Sequence, residues 1–305
     1  MKPRFILTID TEGDRESIQD SISIHNIARL GEFHELCINY GIKPTYLCSY
    51  EVITSELFDA FLQKYESDNY EVGAHLHPWS TPPITSKDDI RKKPYPTEFS
   101  REVLHEKLEN LTKIIEKKCK RPISYRAGRF GFDPKLHSKV LLDLGFKIDC
   151  STTPGVNWQE TKGFSIGGPD FSNYPTNCYY ISEEGHFYNH FLEKGLLEVP
   201  VTIFLEGSSV TWLRPLPKLP RFSRSRIKKL CDKTIKENTR DVLAMQMHSN
   251  ELHEKYNPYF KTPREVKMLL KFLSNFFEYL NSKDIEAVTL RDFYSLQESL
   301  DHTGK

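Results

Sequence analysis

The run Arg4-Phe5-Ile6-Leu7-Thr8-Ile9-Asp10-Thr11-Glu12 decides the fold. Its β-branched and aromatic residues predict a strand from Arg4 to Asp10, and polar residues collect at its C-terminal end. Similar short runs recur between amphipathic stretches, as alternating strands and helices packed in layers require. They are Lys43–Ser49, Tyr70–His77, Ile123–Gly128, Phe146–Cys150, Leu197–Phe204, Val242–His248 and Glu286–Leu290. Eight such runs predict an α/β protein built as a (β/α) barrel.

Helices are expected between them. Ile24, Ile27, Ala28, Leu30, Phe33, Leu36 and Cys37 make one apolar stripe that ends near Gly41, a natural left-handed terminator. Asp133-Pro134 opens a second helix and Gly145 closes it. Thr262-Pro263-Arg264-Glu265 carries an N-cap and a capping-box glutamate ahead of the Val266, Leu269, Leu270, Leu273, Phe276, Phe277 face. Two stretches, about 80–99 and 152–191, are rich in Pro, Gly, Ser, Asn and aromatics and lack periodicity, as functional loops do. A proline-rich piece from Arg214 to Arg221 leads into the basic residues Arg224, Arg226, Lys228 and Lys229. With no repeat and no linker, residues 1–305 read as one domain.

Composition narrows the partners. Of 305 residues, 42 are basic and 42 acidic, so no long-range field draws the chain onto nucleic acid or an anionic membrane. No apolar run approaches the ~20 residues that span a bilayer, and Arg4 enters the first strand without a signal-peptide pattern. Six scattered cysteines without a CxxC pair predict reduced thiols in a cytoplasmic protein.

In parallel barrels, chemistry gathers where strands end. Asp10 and Glu12 lie two apart and share a face if the strand continues, which invites a cation or a shared proton; a turn cap is the structural alternative. His75 and His77, also two apart, can reach one metal ion, and Pro78 and Trp79 fix the backbone and wall off water. Arg126 can hold a carboxylate in a fork, and Asp149 is a candidate for that carboxylate. His248 ends a late strand and suits proton transfer near neutral pH. Each has a bland alternative as a surface, core or loop-cap residue.

Taken in chain order, these segments resemble the NodB-homology polysaccharide deacetylases, metal-dependent amide hydrolases on a distorted (β/α) barrel of about seven to eight strands. The resemblance spans roughly Arg4 to His248. Thr8-Ile9-Asp10-Thr11-Glu12 is similar to the first motif, T-F-D-D, which implies Asp10 as catalytic base and, because Thr11 takes the second position, Glu12 as metal ligand. Glu71-Val72-Gly73-Ala74-His75 resembles the second motif and implies His75 as a ligand. The position four residues on is Trp79, so the second imidazole is displaced to His77 or missing. Tyr125-Arg126-Ala127-Gly128-Arg129-Phe130 is similar to the third motif, whose arginine orients the base. Gly145 to Asp149 resembles the fourth and makes Asp149 the partner of Arg126. Met245-Gln246-Met247-His248 resembles the fifth, with His248 as general acid. The HLHPW form is similar to a WbmS-like subgroup associated with O-antigen and surface-polysaccharide assembly.

The resemblance implies a divalent metal, zinc first and cobalt, nickel or manganese as alternatives, and release of acetate from an N-acylated sugar that is free, nucleotide-linked or lipid-linked. Asp10 takes a proton from water, His248 protonates the amine, and Arg126 with Asp149 keeps acid and base in opposite protonation states. Trp79, Arg129 and Trp158 are expected to bind substrate, with Trp212, Tyr174, Tyr179 and Tyr180 as further flat faces. A metal-free or differently specific amidase on the same barrel and a catalytically inactive carbohydrate-binding protein are the alternatives.

Overall fold

The computed structural model describes residues 2–14, 22–207, 209–215 and 221–302. Seven of the expected runs form strands. In chain order these are β1 (Arg4–Thr11), β2 (Thr45–Cys48), β3 (Glu71–Leu76), β4 (Ser124–Ala127), β5 (Ile148–Asp149), then β6 (Tyr179–Ile181), β7 (Phe187–Tyr188), β8 (Leu196–Glu198), β9 (Ile203–Glu206), β10 (Ser209–Trp212) and β11 (Val242–His248). Strands pair in the order β11-β1-β2-β3-β4-β5-β8-β6-β7, and every pairing from β11 to β8 is parallel. The result is a curled sheet, a distorted and incompletely closed (β/α) barrel.

Alternation along β1 separates two cores. Phe5, Leu7 and Ile9 point outward into the layer between sheet and helices, where Phe5 meets Phe276 edge-on. Ile6 points inward to Leu47, Ile148, Leu197 and Ala244, which fill the barrel. The same parity sends Thr8 and Asp10 inward.

Three expectations need correction. Glu286–Leu290 is not a strand: β2 pairs only with Thr8–Thr11, so the lower part of β1 is capped by a single bridge from Ala287 to Phe5, and a helix starts at Leu290. The run Leu197–Phe204 is broken after Glu198. Beyond it, Thr202 donates its N–H to the Ala244 carbonyl (3.0 Å) and accepts the Ala244 N–H on its hydroxyl (2.8 Å), bridging the barrel gap to β11. The 152–191 stretch is not wholly irregular, because β6 and β7 form an antiparallel pair within it.

The helices are α1 (Leu30–Asn39), α2 (Tyr50–Ile53), α3 (Glu56–Lys64), α4 (Arg101–Lys118), α5 (Pro134–Asp143), α6 (Arg221–Glu237), α7 (Pro263–Ser282) and α8 (Leu290–His302). Gly41 and Gly145 follow α1 and α5 with φ of 68° and 82°, Asp133 caps α5, and Thr262 with Glu265 forms the α7 capping box. Residues 216–220 of the proline-rich piece, and the side chains of Arg221 and Arg224, lie outside the described residues. Arg226 pairs with Glu206 (3.0 Å) and Lys228 donates to the Asn275 carbonyl (3.3 Å), both at the exposed surface.

The two long loops are clasped to each other. Glu98 accepts backbone N–H groups from Tyr95, Phe164, Ser165 and Ile166 at 2.6–3.1 Å. Buried Lys107 on α4 donates to the carbonyls of Pro78, Thr81 and Pro83 and to Asp88, which anchors the chain that follows His77.

Candidate active site

Four strand ends meet over the barrel. The β1–β11 register places Asp10 beside His248, and the β3–β4 register places His75 beside Arg126. Past β1, Glu12 is fixed by Ser249, which accepts its N–H, and by Asn250, which donates to Oε1 at 3.0 Å. Glu12 Oε2 then lies 3.5 Å from His75 Nε2 and 3.1 Å from His77 Nε2, and the three donor atoms fall within 4.8 Å of one another.

This buried donor set fits a divalent metal ion. His75 Nδ1 lies 3.1 Å from the Arg126 carbonyl oxygen, a hydrogen bond that puts its proton on Nδ1 and aims the Nε2 lone pair into the cavity. Burial would lower His77, but the carboxylates of Glu12 and Glu51 outweigh it and raise the imidazole to about 9, so the cavity draws positive charge. Trp79 stacks under His77 at 4.3 Å. Gly128 permits the close approach of β4: a Cβ there would lie 2.5 Å from the Leu76 carbonyl oxygen and 2.7 Å from His77 Cδ2. That explains why glycine stands at this position.

Arg126 does not pair with Asp149. Its Nη1 donates to Asp10 Oδ1 at 2.6 Å, its Nη2 to Thr8 Oγ1 and its Nε to the Cys150 carbonyl. Burial alone would raise Asp10, but the Arg126 charge, with His75 and His248 adding to it, outweighs burial and holds the carboxyl at about 2. Asp149 is drawn elsewhere because β5 sets it opposite Glu198 on β8. It accepts from Ser151, and burial raises both carboxyls of the pair, Glu198 well above the usual glutamate range with the Asp149 charge adding to it.

His248 carries its own support. Glu251 Oε1 lies 2.9 Å from His248 Nδ1 and 2.6 Å from Arg214 Nη2. The Nδ1–H therefore donates to the carboxylate and Nε2 faces Asp10 Oδ2 across 3.6 Å. Gln246 donates to Asp10 at 2.8 Å. Glu251, Arg214, Asn250, Glu51 and Gln246 escaped sequence reasoning. Only Gln246 had a signal, two residues before His248 on one strand face.

The cavity over these groups has a volume of about 250 Å³ and is lined by Asp10, Glu12, His75, His77, Trp79, Arg129 and His248 among others. Trp79 is nearly buried and serves as wall. Arg129 and Phe130 take the left-handed backbone region (φ 55° and 59°), unfavourable for residues with side chains, and both reach the cavity mouth. Trp158 is half-buried on the adjoining cleft, with its indole N–H on Thr153. Tyr179 and Tyr180, expected as sugar platforms, are buried on β6 and pack the core, and Tyr174 packs against Phe171.

Neither a protein-family model nor a curated sequence relative matches the chain. Solved structures do. A protein described as a glycoside hydrolase/deacetylase from Parabacteroides distasonis overlays with a TM-score of 0.62 and 13% identity, over 98% of this chain and 72% of that one. A GH57 branching enzyme from Thermococcus kodakaraensis gives 0.54 and 12%, over 97% and 71%. A polysaccharide deacetylase described as involved in O-antigen biosynthesis in Bordetella bronchiseptica gives 0.45 and 9%, over 91% of each chain, too loose to carry an argument. At these identities the likeness is one of fold: this chain shares the distorted (β/α) barrel of the glycoside hydrolase/deacetylase and GH57 structures.

Proposed function

We propose that this protein is a metal-dependent hydrolase that removes an N-acyl group, acetyl in the simplest case, from an amino sugar. The observation that carries the reading is the facing of Asp10 and His248 across one cavity that also holds Glu12, His75 and His77. Those three would hold the metal. When bound, zinc or another divalent ion supplies Lewis acidity to the amide carbonyl.

The other steps belong to the chain. Asp10, kept ionised by Arg126, accepts a proton from the attacking water. His248, its Nδ1–H fixed on Glu251, delivers a proton from Nε2 to the departing nitrogen. Water adds to the carbonyl carbon, the C–N bond breaks, and a carboxylate and an amine leave. A site with an anionic base and an imidazole acid needs their proton affinities pushed apart, which Arg126 does for one and Glu251 for the other.

The HLHPW segment supports a place in surface-polysaccharide assembly. Six unpaired cysteines support a reducing compartment such as the cytoplasm, and among the described residues no helix is long and apolar enough to cross a membrane. The test is release of acid from free, nucleotide-linked and lipid-linked N-acylated amino sugars by protein loaded with zinc, cobalt, nickel or manganese. Turnover that chelator and Asp10→Asn abolish supports the reading; no release from any of them overturns it.

A further inference from the structure

We propose that an aromatic cleft beside His248 holds the pyranose ring that carries the departing amine, an assignment that rests on the deacylation reading above. Three half-buried aromatic side chains converge there from separate parts of the chain: Phe130 after β4, Trp158 after β5 and Trp212 at the end of β10. Phe130 and Trp158 stack with centroids 5.7 Å apart and planes 21° apart. Trp212 meets Trp158 edge-on at 6.3 Å and Phe130 at 6.1 Å. They wall a cavity of about 400 Å³, within the size range of small-molecule sites.

Position assigns the occupant. The cleft and the reaction cavity share Arg129, Phe130 and His248, while Asp10 and the three metal donors border the reaction cavity alone. An amide with its carbonyl at Glu12, His75 and His77 and its nitrogen at His248 therefore extends its amine substituent into the cleft. Flat aromatic faces suit the less polar face of a sugar ring. The rim is polar: Arg129 and Arg214 are held over the rings of Tyr95 and Tyr259 at 4.1 and 5.2 Å, with Thr161 nearby, so donors and acceptors for ring hydroxyls surround the apolar floor. A plain aryl amide would use the floor and waste the rim.

Trp212 is the residue to change, because it ends a two-stranded hairpin outside the barrel and contributes to neither buried core. Zinc-loaded wild type, Trp212→Ala and Trp212→Phe, each checked for folding by circular dichroism, would be compared in two ways. The first is acetate release from N-acetylglucosamine and its β-1,4 oligomers. Trp212→Ala is expected to raise KM about tenfold with kcat within about twofold, and Trp212→Phe to recover most of the loss. The second is saturation-transfer NMR with glucosamine and its dimer, where transfer to ring protons is expected in wild type and lost in Trp212→Ala. Unchanged KM and transfer in Trp212→Ala, or no transfer to any amino sugar in wild type, overturns the cleft assignment. Transfer that depends on Trp212 without any acetate release keeps the cleft and overturns the deacylation reading.

Discussion

Asp10 and His248 are register partners on neighbouring parallel strands, and their facing atoms, Oδ2 and Nε2, lie 3.6 Å apart. One is drawn from the first strand and the other from the last strand of the barrel, so the pair exists only because β1 and β11 are adjacent. Each is held by an opposite charge behind it: Arg126 at Asp10 and Glu251 at His248. The base role proposed for Asp10 and the acid role proposed for His248 rest on these two supports.

Asp10→Asn removes the proton acceptor and strands the buried Arg126 charge. Acetate release is expected to fall about 10³-fold, and stability by about 3–5 kcal/mol, read by turnover and urea unfolding. In the native protein the pair's contribution is fully present above the ordinary aspartate range and fades as pH falls towards about 2. A variant of undiminished rate would remove Asp10 from the base role.

Glu251→Gln keeps a hydrogen-bond acceptor for His248 Nδ1 but withdraws the charge that favours the imidazolium. The alkaline limb of the rate profile is expected to move to lower pH, with kcat down about 10-fold to 100-fold at neutral pH. Arg214→Ala should shift the limb the other way by freeing the Glu251 charge for the imidazole. An unmoved profile in Glu251→Gln would make that carboxylate purely structural.

One equivalent of divalent metal per chain is expected by elemental analysis, lost on His75→Ala or Glu12→Ala. Asn250→Ala leaves the donors in place but frees Glu12 to rotate, and should weaken metal binding about 10-fold to 100-fold. Wild-type stoichiometry in Glu12→Ala would place the ion elsewhere.

Glu98 ties the 80–99 loop to the 152–191 loop. Four backbone hydrogen bonds hold its carboxyl below the usual glutamate value against the cost of burial. Glu98→Gln is expected to cost about 2 kcal/mol and to speed hydrogen exchange at Phe164, Ser165 and Ile166. Because the folded value is depressed, the clasp is complete above the ordinary glutamate range and loosens as pH falls through the folded value. Exchange at those amides that does not respond to acid would count against it.

The strand ends were legible because polar residues interrupt apolar runs at Asp10, His75, Arg126 and His248. The α7 capping box was legible because its parts lie three residues apart. The partner of Arg126 was not. A guanidinium can reach Asp10 or Asp149 equally well on paper, and the choice fell to Glu198, which a neighbouring strand sets against Asp149. Glu251 was hidden for a related reason: it sits on a short 3-10 turn after β11, where no periodicity marks direction. Trp212 was visible as an aromatic residue, but only the β9–β10 hairpin brings it to Trp158.

The sequence by itself determined the alternation of strands and helices and the chemical types at the strand ends, because these depend on burial and spacing within a few residues. The tertiary structure alone decided which charge answers which, since pairing energies depend on separation in space, and parallel strands join residues that the chain keeps far apart.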